Sequence, residues 1–370
     1  MRIYPFQAEY PNMDFVTSND AFFGSIRDEF VDYCKSGFFQ KLAEPAVFVV
    51  EIENTRRKYT GIIACTDIRD FEEGHIKKHE GTLASKEQQQ MHVLIRFGAQ
   101  TKPVMMAYPS RPEIDRFMDA VKRSKEPFLE IPFESTGECH RFWRVDDPER
   151  IGRLRTFFAE QIQTTYIADG HHRTTTMALI HERLTGKPPY EGEYDKLLGA
   201  FFPMGELEIL EFNRVVKGRN ENSLPKLIVR ISQVCEIEIL DVPSPPRQKF
   251  EFLMYLEGDW YRLRWKDAVL RQQRDRIALL DAHLLNAHIL RDILGVTDVR
   301  DDTRMRYVAG PLGLEGVRQE TMKTSESIGF CLYPVSQEDF KALADANQML
   351  PPKSTWFEPR LKSGVLVKKF

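Results

Sequence analysis

The sequence predicts a mixed α+β protein, and three observations carry that expectation. Short apolar runs bounded by turn residues, such as 47–52 (VFVVEI) and 250–256 (FEFLMYL), read as buried strands. Short polar links between neighbouring runs mark antiparallel hairpins, as at Glu257-Gly258-Asp259 between 250–256 and 260–265. Amphipathic helical segments are interspersed among these hairpins instead of following every strand, as they would in a parallel βαβ array.

In chain order, 20–42 spaces Phe22, Phe23, Ile26, Phe30, Val31 and Cys34 as a helix face. Strands are expected at 47–52 and 58–68, joined as a hairpin. Ala84–Phe97 forms a helix burying Met91, Leu94 and Ile95, and 103–108 (PVMMAY) a strand. Pro112 suits a first helical position, with Ile114, Phe117, Met118 and Val121 on the buried face. Ile151, Leu154, Phe157, Phe158 and Ile162 mark the next helix. Strands follow at 196–202 and 207–212, the latter ending at Asn213-Arg214. The prolines of 241–249 (DVPSPPRQK) indicate a loop or linker, so the expected division is 1–240 and 241–370. Beyond it come the 250–265 hairpin, a long helix 276–294 stopped by Gly295, strands near 304–309 and 328–333, and a helix 337–347. Ser336 and Asp339 form a capping-box-like start to that last helix. The run VLVKK near the C-terminus reads as a strand docked on a sheet.

The chain has 370 residues, a net charge of -3, and 42% hydrophobic and 29% charged residues, ordinary for a soluble globular protein. The charge argues against general nucleic-acid binding, which needs a basic face. No apolar run reaches the roughly 18–20 residues needed to span a bilayer. MRIYPFQAEYPN places Pro5 and Glu9 where a signal peptide needs an apolar core. The five scattered cysteines form no CxxC pair and read as reduced thiols. A cytoplasmic protein is expected.

The chemistry concentrates in Tyr166-Ile167-Ala168-Asp169-Gly170-His171-His172-Arg173. A strand ends there, Asp169-Gly170 turns the chain, and a helix opens that Gly186 and Pro188 close. Unpaired N–H groups and the positive end of the helix dipole make such a start an anion site, and two imidazoles with a guanidinium point to phosphate. A capped helix start with a surface histidine pair would give the same pattern. Upstream, the polar stretch 70–94 holds His75, His79, Glu80 and Thr82. Lys77 and Lys78 read as surface charge. Downstream, MLPPKSTWFEPRLKSG offers Lys353, Ser354, Thr355 and Arg360, hydroxyls and cations able to grip an oxyanion. Asn213-Arg214 is a further candidate wall, with structural pairing the better account of Arg214.

YIADGHHRTTTMAL, HIKKHEGTLASKEQQ, LEFNRVV and MLPPKSTWFEPRLKSG resemble blocks of the family catalogued as domain of unknown function 1015, over roughly residues 45–370. Where that family carries an early Pro-Pro-Tyr-Asp-Val element, this chain has NMDFVTSND. More distantly, DGHHR with an upstream His-Glu pair resembles the ParB/sulfiredoxin superfamily, its free-serine kinases above all. That resemblance implies a ParB/sulfiredoxin-like mixed α/β core and a C-terminal α+β extension whose tail returns to the site. The long spacing from Glu80 to Asp169 implies a large insertion at about 98–160. Phosphoryl transfer is implied, with ATP or ADP and Mg²⁺ as cofactors and a small hydroxy metabolite such as free serine as substrate.

On this basis Asp169, Gly170, His171, His172, Arg173, Lys353, Ser354, Thr355 and Arg360 are expected to bind phosphate or nucleotide. Glu80 is the candidate general base, with His79 and His172 beside it. Asp169 can hold Mg²⁺, fix a histidine tautomer or only cap the turn. The same set with water as acceptor gives a phosphatase of a phosphorylated amino acid, and without turnover a nucleotide-binding ParB-like protein. A zinc site built from His75, His79, His171 and His172 is disfavoured, because adjacent histidines are poor co-ligands. Sulfiredoxin chemistry is rejected, because the signature turn has His171 where a cysteine is needed.

Overall fold

The first expected hairpin forms the middle of a large sheet. Val47–Glu53 pairs antiparallel with Lys58–Asp67 across a turn in which the Asn54 side chain accepts from the amides of Arg56 and Arg57. The protein is described from a computed structural model covering residues 1–81, 84–184, 194–273, 275, 277 and 279–370. Thr82, Gly186 and Pro188 lie outside the described residues, as do three positions near the start of the expected 276–294 helix. Helices mix with parallel and antiparallel strands, so the α+β class stands.

The chain divides into two units. Unit 1 comprises Met1–Glu208 and Pro359–Phe370, and unit 2 comprises Ile209–Glu358. The boundary therefore falls after Glu208, not at 240/241. The proline-rich 241–249 stretch is a loop inside unit 2, because the strand before it, Cys235–Leu240, is already paired with Asp259–Trp265.

Unit 1 is built on a nine-stranded mixed sheet. Its order is Ile76–Lys77, Thr165–Asp169, Val104–Tyr108, Lys196–Pro203, Lys58–Asp67, Val47–Glu53, Glu138–Val145 and Leu129–Phe133, with Ile3–Tyr4 added on Lys58–Asp67. Residues 98–160, expected as an insertion, supply Val104–Tyr108 near the centre and the hairpin Leu129–Phe133/Glu138–Val145 at one edge, so they are integral to the sheet. That hairpin was not foreseen. Its alternation of buried and exposed residues at 129–133 is regular but only five residues long.

Helix Pro112–Ser124 has Pro112 in its first turn and buries Ile114, Phe117, Met118 and Val121, while Pro148–Gln161 buries Ile151, Leu154 and Phe158. Each such side chain contributes on the order of 1.5–3 kcal/mol by leaving water. Helices Ala84–Phe97 and His171–Leu184 pack on each other. A separate four-stranded sheet, in the order Phe39–Lys41, Ala8–Pro11, Val367–Lys369 and Ala99–Gln100, takes up the C-terminal strand as expected.

Unit 2 is a six-stranded antiparallel sheet in the order Cys235–Leu240, Asp259–Trp265, Glu251–Leu256, Ile328–Cys331, Phe212–Val216 and Met305–Ala309. Asn213 and Arg214 lie inside Phe212–Val216, not at a strand end. The expected long helix is a short α-turn, Asp281–Leu284, continued as a π-helix over Leu285–Arg291. Helix Gly313–Met322 was missed, because Gly313 and Gly316 interrupt the helical signal in its first turn.

Candidate functional site

Strand Thr165–Asp169 brings its buried residues into the sheet and ends at the half-buried Asp169. Its register against Val104–Tyr108 shifts between Ile167 and Asp169. Such a bulge re-aims the next side chain, here the Asp169 carboxylate. Gly170 follows with φ 111, a backbone conformation that disfavours any side chain. A Cβ there would also fall 2.8 Å from Arg173 Nη2. The glycine therefore does two things: it turns the chain into helix His171–Leu184 and lets Arg173 fold back over the turn.

Three cations meet on one carboxylate. Arg173 Nη2 lies 2.9 Å from Asp169 Oδ2, Arg360 Nη1 2.9 Å from Oδ1, and Lys102 Nζ 3.5 Å from Oδ2. Each of the four side chains keeps about a quarter of its surface exposed. Arg173 also donates to the Pro103 carbonyl at 3.3 Å, and its buried Nε has no hydrogen-bond acceptor among the described residues. Although burial by itself opposes its charge, Asp169 is held far below the usual carboxylate range, mainly by Arg173, then by Lys102 and Arg360. Desolvation pulls Lys102 down to about 8, against the attraction of Asp169 and with the repulsion of Arg173 and Arg360.

Lys102 was not singled out from the sequence. It sits in a TKP loop with no motif of its own, and only the approach of the strand Val104–Tyr108 to Asp169 makes it part of the site. Because it is protonated below about pH 8, its hold on an anion weakens as pH rises through that value. Lys102→Arg keeps its charge there. The ratio of pyrophosphate affinities, Lys102→Arg over wild type, is expected to grow about tenfold between pH 7 and 9.5, measured by titration calorimetry. A flat ratio would take Lys102 out of the site.

Asp169 does not fit the Mg²⁺ role expected of it. Both of its oxygens are held by cations, an environment that repels a metal ion. Among the described residues no three His, Cys, Asp or Glu side chains form a metal cradle.

Beside the cations runs a second set. His171 and His79 are both buried, with His171 Nε2 3.2 Å from His79 Nδ1 and the rings edge-to-face at 4.3 Å. Burial drives both imidazoles towards the neutral form. A ring N–H of His79 donates to the Ile167 carbonyl, which can only accept. His79 Nδ1 then accepts from His171 Nε2–H, and His171 Nδ1 carries the lone pair facing Glu80 Oε2 at 3.9 Å. The His79 amide, 3.5 Å from His171 Nε2, would favour the opposite tautomer, but at that length it is a weak partner. Glu80 is 37% exposed in its side chain, so it is open to a substrate. His172 is half-buried next to His171, and its charge opposes protonation of that ring.

The remaining expected residues divide between the units. Arg360 lies in unit 1 and reaches Asp169. Lys353, Ser354 and Thr355 lie in unit 2. There Lys353 Nζ stands 5.1 Å over the Phe212 ring, and buried Ser354 donates to the Pro351 carbonyl at 2.6 Å. His75 is exposed, 3.2 Å from the Gln163 carbonyl, and 3.8 Å from Glu73. Arg214 is fully buried, donating to the carbonyls of Phe212 at 2.8 Å and Lys353 at 3.3 Å, a structural role within unit 2.

The family described as protein of unknown function (DUF1015) matches residues 7–283. The chain belongs to this family. No curated protein matches this DUF1015 member. Among solved structures it is similar to a free serine kinase in complex with AMP, at 12% identity and TM-score 0.38, covering 82% of this chain and 92% of that one. It is also similar to SbnI with a C-terminal truncation from Staphylococcus aureus, at 9% identity and TM-score 0.43, covering 82% and 85%. A conserved hypothetical protein from Pyrococcus furiosus is similar at 14% identity and TM-score 0.36, covering 83% and 95%. Likenesses this weak carry no mechanistic weight for the DUF1015 chain. No helix among the described residues is long and apolar enough to cross a membrane.

Proposed function

We propose that this protein is a phosphotransferase that moves a phosphoryl group from ATP or ADP to a small hydroxy metabolite, free serine or a related amino acid. The observation that carries the proposal is the meeting of Lys102, Arg173 and Arg360 on the single carboxylate of Asp169. Three cations share this one carboxylate at the start of a helix, whose dipole adds to their charge. Such a site calls for a polyanion, and a chain of phosphates is the common metabolic one.

The resemblance of the His79-Glu80 and DGHHR segments to free-serine kinases of the ParB/sulfiredoxin superfamily supports the acceptor class and that fold type. In this scheme Arg173, Lys102 and Arg360 hold phosphate oxygens with the first amides of the helix. His171 is committed to His79, and His172 is the proposed phosphate-facing imidazole. Mg²⁺ would arrive with the nucleotide and supply charge neutralisation on the phosphates. Asp169 does not serve it.

Phosphoryl transfer needs positioning and charge stabilisation more than covalent help. The acceptor hydroxyl gives its proton to Glu80 while its oxygen bonds to the terminal phosphorus. The bond from that phosphorus to the leaving phosphate oxygen breaks, and the cations take up the charge. His171 Nδ1 stands behind Glu80 to accept or share the proton, with His79 fixing the ring.

The test is phosphorus NMR of the full chain with ATP or ADP against L-serine and L-threonine, and separately with phosphoserine alone. Formation of the phosphorylated amino acid supports the kinase. Phosphate release from phosphoserine without nucleotide supports the phosphatase instead. Nucleotide binding with neither reaction leaves a nucleotide-binding ParB-like protein and ends the enzyme proposal. Arg173→Ala is expected to weaken pyrophosphate and nucleotide binding by ~1.5–3 kcal/mol, about 10–150-fold, for loss of a charge-assisted contact. Unchanged affinity would move the phosphate cradle elsewhere.

A further inference from the structure

We propose that unit 2 carries a second ligand site, a cavity that takes a small metabolite bearing an ammonium group. It does not depend on the phosphate site of unit 1. The cavity has a volume of about 240 Å³, formed by residues of unit 2 alone. That is room for about eight waters at ~30 Å³ each, and it lies below the ~300–1,000 Å³ of pockets for drug-sized ligands. A body of a few carbons fits it. Leu280 and Leu332 supply apolar wall, and the charged lining is Glu211, Asp281, Asp339 and Lys249.

Asp281 sets the chemistry. It lines the cavity yet is only 6% exposed. The amide of Phe250 donates to both of its oxygens at 3.1 Å, from a residue held at φ 72. A bulky side chain seldom adopts that backbone conformation, so the amide is aimed at the carboxylate at some cost. Among the described residues no cation lies within 4.0 Å of Asp281, and Lys249 attracts it only from farther off. Lys249, the cation in the lining, is held by Asp339 at 2.8 Å. Burial correspondingly pushes the Asp281 carboxyl up to about 7. A buried carboxylate that borders a cavity with no cation in direct contact is an acceptor for a charged donor from a ligand. With Lys249 held by Asp339, the carboxyl of Asp281 favours a cationic donor over an anion.

The probe is n-butylamine, with n-butanol and butyrate as controls of matched size. Each is titrated into the full chain by calorimetry, and the Phe250 amide is followed by nitrogen-15 NMR. Butylamine is expected to bind about tenfold or more tightly than either control and to shift the Phe250 resonance. Asp281→Asn keeps the shape and an acceptor for Phe250, and is expected to abolish that preference while still binding pyrophosphate. Arg173→Ala is expected to leave butylamine binding unchanged. If the wild type does not prefer butylamine, or its Phe250 amide does not respond, the proposal is overturned. Unchanged preference in a folded Asp281→Asn overturns it equally. Should that variant not fold, the wild-type preference and the Phe250 shift decide alone.

Discussion

Asp169→Asn is expected to lower the free energy of unfolding by about 3–5 kcal/mol at pH 7, read as a fall in the urea midpoint. The variant keeps the shape of the side chain but leaves Lys102, Arg173 and Arg360 facing one another with most of their surface buried. The pH sense follows from the direction of the shift. Asp169 is held far below its unfolded value, so its contribution is fully present above about pH 4 and is lost as pH falls. Pyrophosphate should rescue the variant more than the wild type, because the anion replaces the missing counter-ion. A ligand at 100 times its Kd stabilises by ~2.7 kcal/mol. If Asp169→Asn is as stable as the wild type, the carboxylate is not what holds the three cations together.

Glu80→Gln is expected to lower phosphoryl transfer by about 10²–10⁴-fold, the usual size of a general-base contribution. Nucleotide affinity should stay within a few-fold, because Glu80 lies on the His171 side of the site and none of the Asp169 ion pairs involves it. Normal turnover of Glu80→Gln would remove Glu80 as base even if the transfer itself survives.

Much of the fold was legible where periodicity is strong. Helix Pro112–Ser124 was readable from Pro112 and four apolar residues at helical spacing, and all four are buried. Hairpin signals at 54–57 and 257–258 were equally direct, since Asn54 and Gly258 carry the turn chemistry themselves. Helix Gly313–Met322 was not, because local signals there oppose the helix and tertiary packing supplies it: Val317 and Thr321 are buried. The unit boundary was misjudged for a related reason. Pro245 and Pro246 mark a break in local structure, but which strands share a sheet is a long-range property.

The candidate site shows the same split. Asp169, Gly170 and Arg173 are close in sequence, and Gly170 announces its own turn. Arg360 was found because its segment is chemically unusual for a tail. Lys102 was invisible, as its role comes only from the pairing of Val104–Tyr108 with Thr165–Asp169. The buried state of His79 and His171 also could not be read, since a histidine pair beside a turn looks the same in solvent.

Unit 1 is discontinuous in the chain, and this bears on how the protein is made. Its last segment, Pro359–Phe370, supplies both Arg360 and the strand that sits between Ala8–Pro11 and Ala99–Gln100. The ribosome must pass through about 150 residues of unit 2 before that segment emerges. At ~5–20 residues per second this is a delay on the order of ten seconds to half a minute. Through that interval the nascent unit 1 has an open sheet edge and a clamp lacking one of its three cations. Unit 2 has all of its strands by then and can fold on its own schedule, so the first unit to be synthesised is the second to be finished.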